Sequence, residues 1–321
     1  MNSITDFANV LISELIDSER YGTAKAYLSS VRRLNSFMGH AKLVFDDVTP
    51  ALLKQYELYL YTEGCKRNSV SLYMRMLRSI CNQAYRQGFM SSVIGLFDEV
   101  FTGNDSAEKR ATSPNVIKRL SEMDLEAYPS LIFARDLFLL SFYLRGIPFV
   151  DLAHLRKSDI QMGVLRYRRS KTKRLLTVAV EPCAQAILKK YASYTKKSPY
   201  LLPIISPVGE SEYKQYQSAL RLYNKRLARI SVMLKLKGHL TSYVARHSWA
   251  TAAYRQGIPV TVISESLGHA SEKVTYTYLA SFENRTLRNA NRKVIALLNL
   301  NSRRKMIPKK PPIISTLKNL L

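Results

Sequence analysis

The chain is 321 residues long and 46% hydrophobic, and its 49 Lys and Arg outweigh 24 Asp and Glu to give a formal net charge of +25. Length and apolar content suggest two domains with sizeable cores. The surplus of cations favours a polyanionic partner, and nucleic acid fits better than a membrane because no apolar run is long enough to span a bilayer. The opening segment lacks a basic stretch and carries Asp6 and Glu14 among its apolar residues, so no secretory signal is expected. Three cysteines, Cys65, Cys81 and Cys183, form an odd set with no C-x-x-C spacing. They predict neither a disulfide framework nor a zinc site, and read as buried thiols packed like small apolar side chains in a reducing cytoplasm.

Residues 1–101 read as a small all-helical domain of about four helices. Apolar positions recur at helical steps from Leu11 to Ile16 and again from Tyr21 to Phe37. Thr49 as N-cap and Pro50 at the first helical position open a helix through Leu53 and Tyr56. Asn68 or Ser69 starts another, through Leu77 and Ile80, that stops near Gly88. Lys25, Arg32, Arg67, Arg75 and Arg78 lie on the polar faces. Residues 102–114 are polar, contain Gly and Pro, show no apolar period, and read as a linker.

A second domain is expected over 115–300, opening helically from about Asn115 to Tyr143. From Gly163 to Glu181 the pattern changes: Leu165 and Tyr167 alternate with Arg166 and Arg168, and Leu176, Val178 and Val180 alternate after a basic run. This predicts two strands joined by the turn Arg168–Arg174. Helices resume at Pro182, from about Ser211 to Leu236, and from Ser242 to a break at Gly257. Pro259 opens the next, which ends at Gly268, and Ser271 to Leu298 reads as helical. Residues 301–321 read as a basic, Pro-interrupted tail. The fold class is therefore mainly α with a small β-hairpin or sheet (α+β), in two domains.

No P-loop, H-E-x-x-H zinc site or G-x-S-x-G elbow occurs. Four separated segments make sense together: Leu144-Arg145-Gly146 with Asp151 and Leu155-Arg156; the basic turn with Lys171; Tyr243-Val244-Ala245-Arg246-His247-Ser248-Trp249; and Leu267-Gly268-His269 with Tyr278 nine residues after His269. In order and spacing these resemble the tyrosine recombinase (phage integrase) family, including its Bacteroidetes-type integrases and invertases. The resemblance covers roughly 113–300, and the helical segment before it suits the family's core-binding domain.

The resemblance implies a DNA recombinase that cleaves and rejoins strands through a 3′-phosphotyrosine, without metal or ATP. Tyr278 is then the nucleophile, Arg145 and Arg246 clamp the phosphate, Lys171 is the general acid, and His269 holds a phosphate oxygen. Two positions depart from the family pattern. Tyr243 stands where the family has His, three residues before Arg246; it keeps a hydroxyl for the phosphate but is a poor base. Pro148 stands where the first Arg is expected, and Arg145 lies three residues upstream, with Gly146 and Pro148 able to bend the chain. Tyr276 rivals Tyr278, and Lys173 rivals Lys171. His247 is expected to pack or cap, and Trp249 to lie in the core. The implied partners are double-stranded DNA with inverted half-sites and three further copies in a tetramer on DNA, from a monomer free in solution, with accessory DNA-bending proteins in some members and no membrane. The implied location is cytoplasmic, at the bacterial nucleoid, with the basic tail docking on a neighbouring protomer. A non-catalytic DNA-binding relative and a type IB topoisomerase-like relaxase stay open as alternatives. Integration, excision, inversion and resolution are not distinguished.

Overall fold

The computed structural model describes residues 3–39, 41–105, 110–279, 288 and 291–296. It divides into two compact units, Met1–Glu108 and Lys109–Leu321. Among the described residues the fold is mainly helical with one small antiparallel sheet, as the sequence pattern predicts. No described helix is long and apolar enough to cross a membrane.

The first unit holds α1 (Ile4–Asp17), α2 (Tyr21–Met38), α3 (Pro50–Thr62) and α4 (Arg67–Arg86). Each is amphipathic for a readable reason. In α4 the buried residues Val70, Met74, Leu77, Ile80, Cys81 and Ala84 fall at steps of three and four, so they share one face. Arg67, Arg75, Arg78 and Arg86 are left exposed. Helix α3 starts as expected, with the Thr49 hydroxyl accepting from Leu52 N–H at 3.2 Å and Pro50 in the first turn. Helix α4 starts at Arg67, slightly earlier than the Asn68 or Ser69 start expected.

The second unit holds α5 (Pro114–Ser121), α6 (Pro129–Tyr143), α7 (Phe149–Ala153), β1 (Ile160–Gln161), β2 (Val164–Arg168), β3 (Leu175–Ala179), α8 (Pro182–Tyr191), α9 (Glu212–Met233), α10 (Val244–Arg255), α11 (Val260–Leu267) and α12 (Glu272–Tyr276). Helix α6 is apolar around most of its circumference and packs against α8, α9 and α10. The expected helix from Asn115 to Tyr143 is interrupted over residues 122–128. Asp124 Oδ1 accepts from Glu126 N–H at 3.0 Å in a local turn, and Pro129, which lacks an N–H, restarts the helix. The predicted hairpin is present, pairing Leu165 with Val178 and Tyr167 with Leu176. A third strand, β1, adds Ile160 opposite Leu165.

Two further expectations are corrected. The helix expected from Ser271 to Leu298 is broken: α12 ends at Tyr276, and Tyr278 lies in a turn that buries Leu279 against Ile263 and Leu267. Residues 280–287, 289–290 and 297–298 of that stretch lie outside the described residues, as do 106–109 of the expected linker and the expected tail 301–321. The cysteines are not uniformly buried: Cys81 is, Cys65 is half-buried, and Cys183 is exposed near the start of α8. Trp249 is half-buried against the cluster of Ala250, Ala253, Ile263 and Leu267.

Candidate active site

Four segments of the second unit meet around Arg246. Helix α10 carries Arg246 on its buried face, where the residue is 1% exposed. Its Nη1 donates to Gly146 O at 2.9 Å, and its Nη2 donates to Leu267 O at 2.6 Å. Both acceptors are main-chain carbonyls presented by loop ends. Gly146 follows α6 in a left-handed conformation (φ +70°), and a Cβ there would stand 2.8 Å from Arg246 Cα. Only glycine permits so close a backbone approach. Gly268 is the left-handed cap of α11, and a Cβ there would meet Leu176 Cδ1 at 3.0 Å and Arg169 Cδ at 3.1 Å.

The Gly268 turn, closed by His269 N–H donating to Ser264 O at 3.0 Å, sends the His269 side chain into the same pocket. There His269 Nε2 is 2.9 Å from Arg246 Nη2, and Nδ1 is 2.8 Å from Thr275 Oγ1. A guanidinium only donates, so Nε2 is the acceptor and Nδ1 carries the proton, donated to Thr275. Burial, Arg246 and Arg169, then Lys171 and Arg174, push the His269 pKa down to about 3. The ring is neutral throughout the physiological range.

Tyr278 covers this arrangement. Its ring stacks on His247 at 4.4 Å between centroids, lies 4.9 Å from His269, and stands 5.7 Å from the Arg246 guanidinium carbon. Tyr243 lies at the rim, its ring 6.5 Å from that of Tyr278. Burial and then the neighbouring Tyr243 raise the phenol's pKa, while Arg246 pulls it down. Tyr276 is exposed. His247 packs under Tyr278 with its pKa lowered by burial, and its Nδ1 is buried without a hydrogen-bond partner.

The β2–β3 turn forms the remaining wall. Asp151 of α7 accepts from Ser170 N–H at 2.8 Å and from the Ser170 hydroxyl at 2.5 Å. Thr172 donates to Gly268 O at 3.0 Å. Lys171 sits exposed between these two anchors. Lys173, its rival, takes a left-handed backbone (φ +58°), and Arg168 Nη1 donates to its carbonyl at 3.3 Å.

Arg246, His269, Tyr278 and Tyr243 thus gather, with Lys171 next to them. Arg145 is placed differently. Its backbone is left-handed (φ +58°), and its Nη1 donates to Thr177 O on β3 at 3.4 Å, beside a cavity of about 400 Å³ that it lines with Val262 and Glu265. In the sequence Arg169 reads only as one of the basic residues of the turn around Lys171. This residue is 4% exposed, its Nη1 donates to Leu267 O at 3.2 Å, and its Nε lies 3.8 Å from Asp151 Oδ2. Its signal was the strand alternation itself: 165, 167 and 169 share a face.

A buried guanidinium, a neutral histidine and a phenol gathered beside a basic turn suit nucleophilic attack on a phosphodiester. The comparisons with known proteins agree. The model of the Phage integrase SAM-like domain matches residues 3–94, and that of the Phage integrase family matches residues 112–285. The chain belongs to the phage integrase family. As a tyrosine recombinase, it is an enzyme of site-specific DNA cleavage and rejoining. It is 25% identical to tyrosine recombinase XerA of Pyrococcus furiosus over 264 residues, covering 71% of this chain and 88% of the relative. It is 25% identical to XerC of Thermodesulfovibrio yellowstonii over 291 residues, covering 86% and 90%. In fold it is similar to a lambda integrase dimer bound to a core site, with TM-score 0.64, 16% identity, and 88% of this chain and 80% of that one covered. It is also similar to the Tn1549 transposon integrase in complex with transposon right end DNA, with TM-score 0.65, 11% identity, and 91% and 99% covered. These matches do not favour the non-catalytic alternative.

Proposed function

We propose that Tyr278 is the nucleophile of a strand exchange on double-stranded DNA, and the observation that carries this reading is its ring lying over Arg246 and against His269. The scissile phosphate enters between Tyr278 and Arg246. Arg246, fixed by two main-chain carbonyls, binds a nonbridging oxygen without reorganising. Arg145 meets the phosphate strand from its place beside β3, and Tyr243 offers a hydroxyl at the rim. His269 keeps Arg246 in position by accepting from its Nη2.

In the step itself Tyr278 Oη bonds to phosphorus, the phosphorus–O5′ bond breaks, and the phenolic proton leaves to solvent. Lys171, on a turn pinned at Asp151 and Gly268, gives the O5′ leaving group its proton. In the reverse attack a 5′-hydroxyl re-forms the phosphorus–O5′ bond, the Tyr278 Oη–phosphorus bond breaks, and the phenol regains its proton. One ester replaces another, so ligation draws on no external energy source.

The lambda integrase dimer and Tn1549 structures are complexes with DNA, and a further similar structure is a lambda integrase tetramer bound to a Holliday junction. By that likeness the chain binds inverted half-sites, residues 1–101 contribute the core-binding domain and 115–300 the catalytic domain, and four copies exchange strands. The exposed arginines of α4 suit the phosphate backbone. The test is a suicide-substrate assay in EDTA, using inverted repeats that flank the gene. Wild type yields a covalent protein–DNA band and Tyr278→Phe yields none. Binding without any covalent band, on a site proven in vivo, refutes the assignment.

A further inference from the structure

Two guanidiniums are buried on one carbonyl oxygen: Arg246 Nη2 at 2.6 Å and Arg169 Nη1 at 3.2 Å from Leu267 O. Bringing like charges together away from water is unfavourable unless something anionic offsets it. Among the described residues the carboxylate that meets this pair is Asp151: its Oδ1 accepts twice from Ser170, and its Oδ2 stands 3.8 Å from Arg169 Nε, so one negative charge faces two guanidiniums. In addition, Nε of Arg246 is buried without a hydrogen-bond acceptor, while the unpaired Nε of Arg169 faces the likewise unpaired Asp151 Oδ2 at 3.8 Å. Buried charged donors are ordinarily satisfied, and leaving one unpaired is costly. Two guanidiniums offset by one carboxylate keep a net positive charge that an anion would balance.

From this geometry we infer that Arg169 is a further catalytic residue, supplying the guanidinium that acts with Arg246 on the nonbridging oxygens of the scissile phosphate. A guanidinium has five N–H donors; Arg246 uses three, on Gly146, Leu267 and His269, and Arg169 uses one, on Leu267, so both keep donors for oxygen. Arg169 directly follows the last residue of β2, and does not come from the segment where Pro148 stands in place of the expected Arg. Asp151, one turn of α7 beyond Pro148, holds it there. Arg145 then acts outside the pocket, along β3. The depression of the His269 pKa agrees, since Arg169 follows Arg246 among the cations responsible.

This inference rests on the proposed phosphotyrosine chemistry, and its test separates the two. Wild type, Arg169→Gln and Arg145→Gln are compared on a suicide substrate whose scissile linkage is either a phosphodiester or a methylphosphonate, with DNA affinity measured in parallel. Replacing a nonbridging oxygen by methyl removes the negative charge that a guanidinium offsets. Arg169→Gln is expected to bind the site yet form covalent product roughly 10²–10³-fold more slowly on the phosphodiester. On the methylphosphonate it returns to within about tenfold of wild type. Equal loss on both substrates assigns Arg169 a structural role and overturns the inference, as does an undiminished rate on the phosphodiester. If Arg169→Gln does not fold, Arg169→Lys is measured in the same way: a substrate-selective loss supports the inference, and no selectivity overturns it. Absence of covalent product from wild type on a site it binds refutes the proposed function, and with it this assignment.

Discussion

Thr275→Val probes the pocket without touching a charge. Thr275 is fully buried at the middle of α12, and its hydroxyl accepts the Nδ1 proton of His269 at 2.8 Å. Valine keeps the shape and deletes the acceptor. The imidazole then has two unfavourable choices. It can keep the Nδ1 proton and leave a buried donor unpaired, or move the proton to Nε2 and oppose it to Arg246 Nη2, which is also a donor, at 2.9 Å. Either costs about 1–3 kcal/mol. For a domain of this size each kcal/mol lowers Tm by roughly 2–4 °C, so a drop of about 2–12 °C is expected. Since His269 also bears on Arg246, covalent complex formation should slow by about tenfold for each 1.4 kcal/mol of misplacement carried into the transition state. Calorimetry measures the first effect, a suicide-substrate time course the second, and the nitrogen shifts of ¹⁵N-labelled histidine report the tautomer. Thr275→Ser, which keeps the hydroxyl, should recover most of each. A Thr275→Val protein with wild-type Tm, wild-type rate and a protonated Nδ1 would refute the reasoning.

Acid should weaken the second unit in a defined window. His269 binds its proton at a pH of about 3 when folded, against 6.5 as a free side chain. As pH falls, the unfolded chain takes up the proton first, so stability is complete above about 6.5 and declines from there toward about 3. His247, also lowered, contributes with the same sign. Denaturant midpoints at neutral and mildly acidic pH should show the decline, and His269→Gln should flatten it; an unchanged slope in that variant would remove His269 as the cause. Asp151→Ala strands the buried Arg169 cation and frees the Lys171 turn, at a cost of about 3–5 kcal/mol in urea unfolding. A loss below about 1 kcal/mol would show that the ion pair is not what holds the turn.

The elements were legible wherever local chemistry decides them. Thr49 and Pro50 announced α3, Gly268 announced the end of α11, and the alternation around Leu165 and Val178 announced the hairpin. The two-residue strand β1 has no period to read, because it exists only through pairing with β2. The break at Tyr278 was hidden for a related reason: helical spacing continues through it, while burial of Leu279 beside Ile263 and Leu267 sets the path of the chain. In the site, the gathering of Arg246, His269 and Tyr278 follows the motif spacing. The placement of Arg145 did not, since it turns on two successive left-handed residues at the end of α6, one of them not glycine. Arg169 was masked by its setting among exposed basic residues, where only its inward parity on β2 distinguishes it.

The oxygens that fix Arg246 belong to the peptide backbone at Gly146 and Leu267, and this governs how the pocket can change over generations. A carbonyl is supplied by every amino acid, so replacement of the Leu267 side chain leaves the acceptor in existence. What displaces it is a change in the length or path of the connecting loops. Drift by substitution should therefore spare the cation's seat except at Gly146 and Gly268, where a side chain would push the backbone away, while a one-residue insertion or deletion between Leu144 and Ile147, or between Ser264 and His269, should destroy it. Diversification of such a recombinase is channelled into side chains that face the DNA, with loop lengths around the pocket held constant.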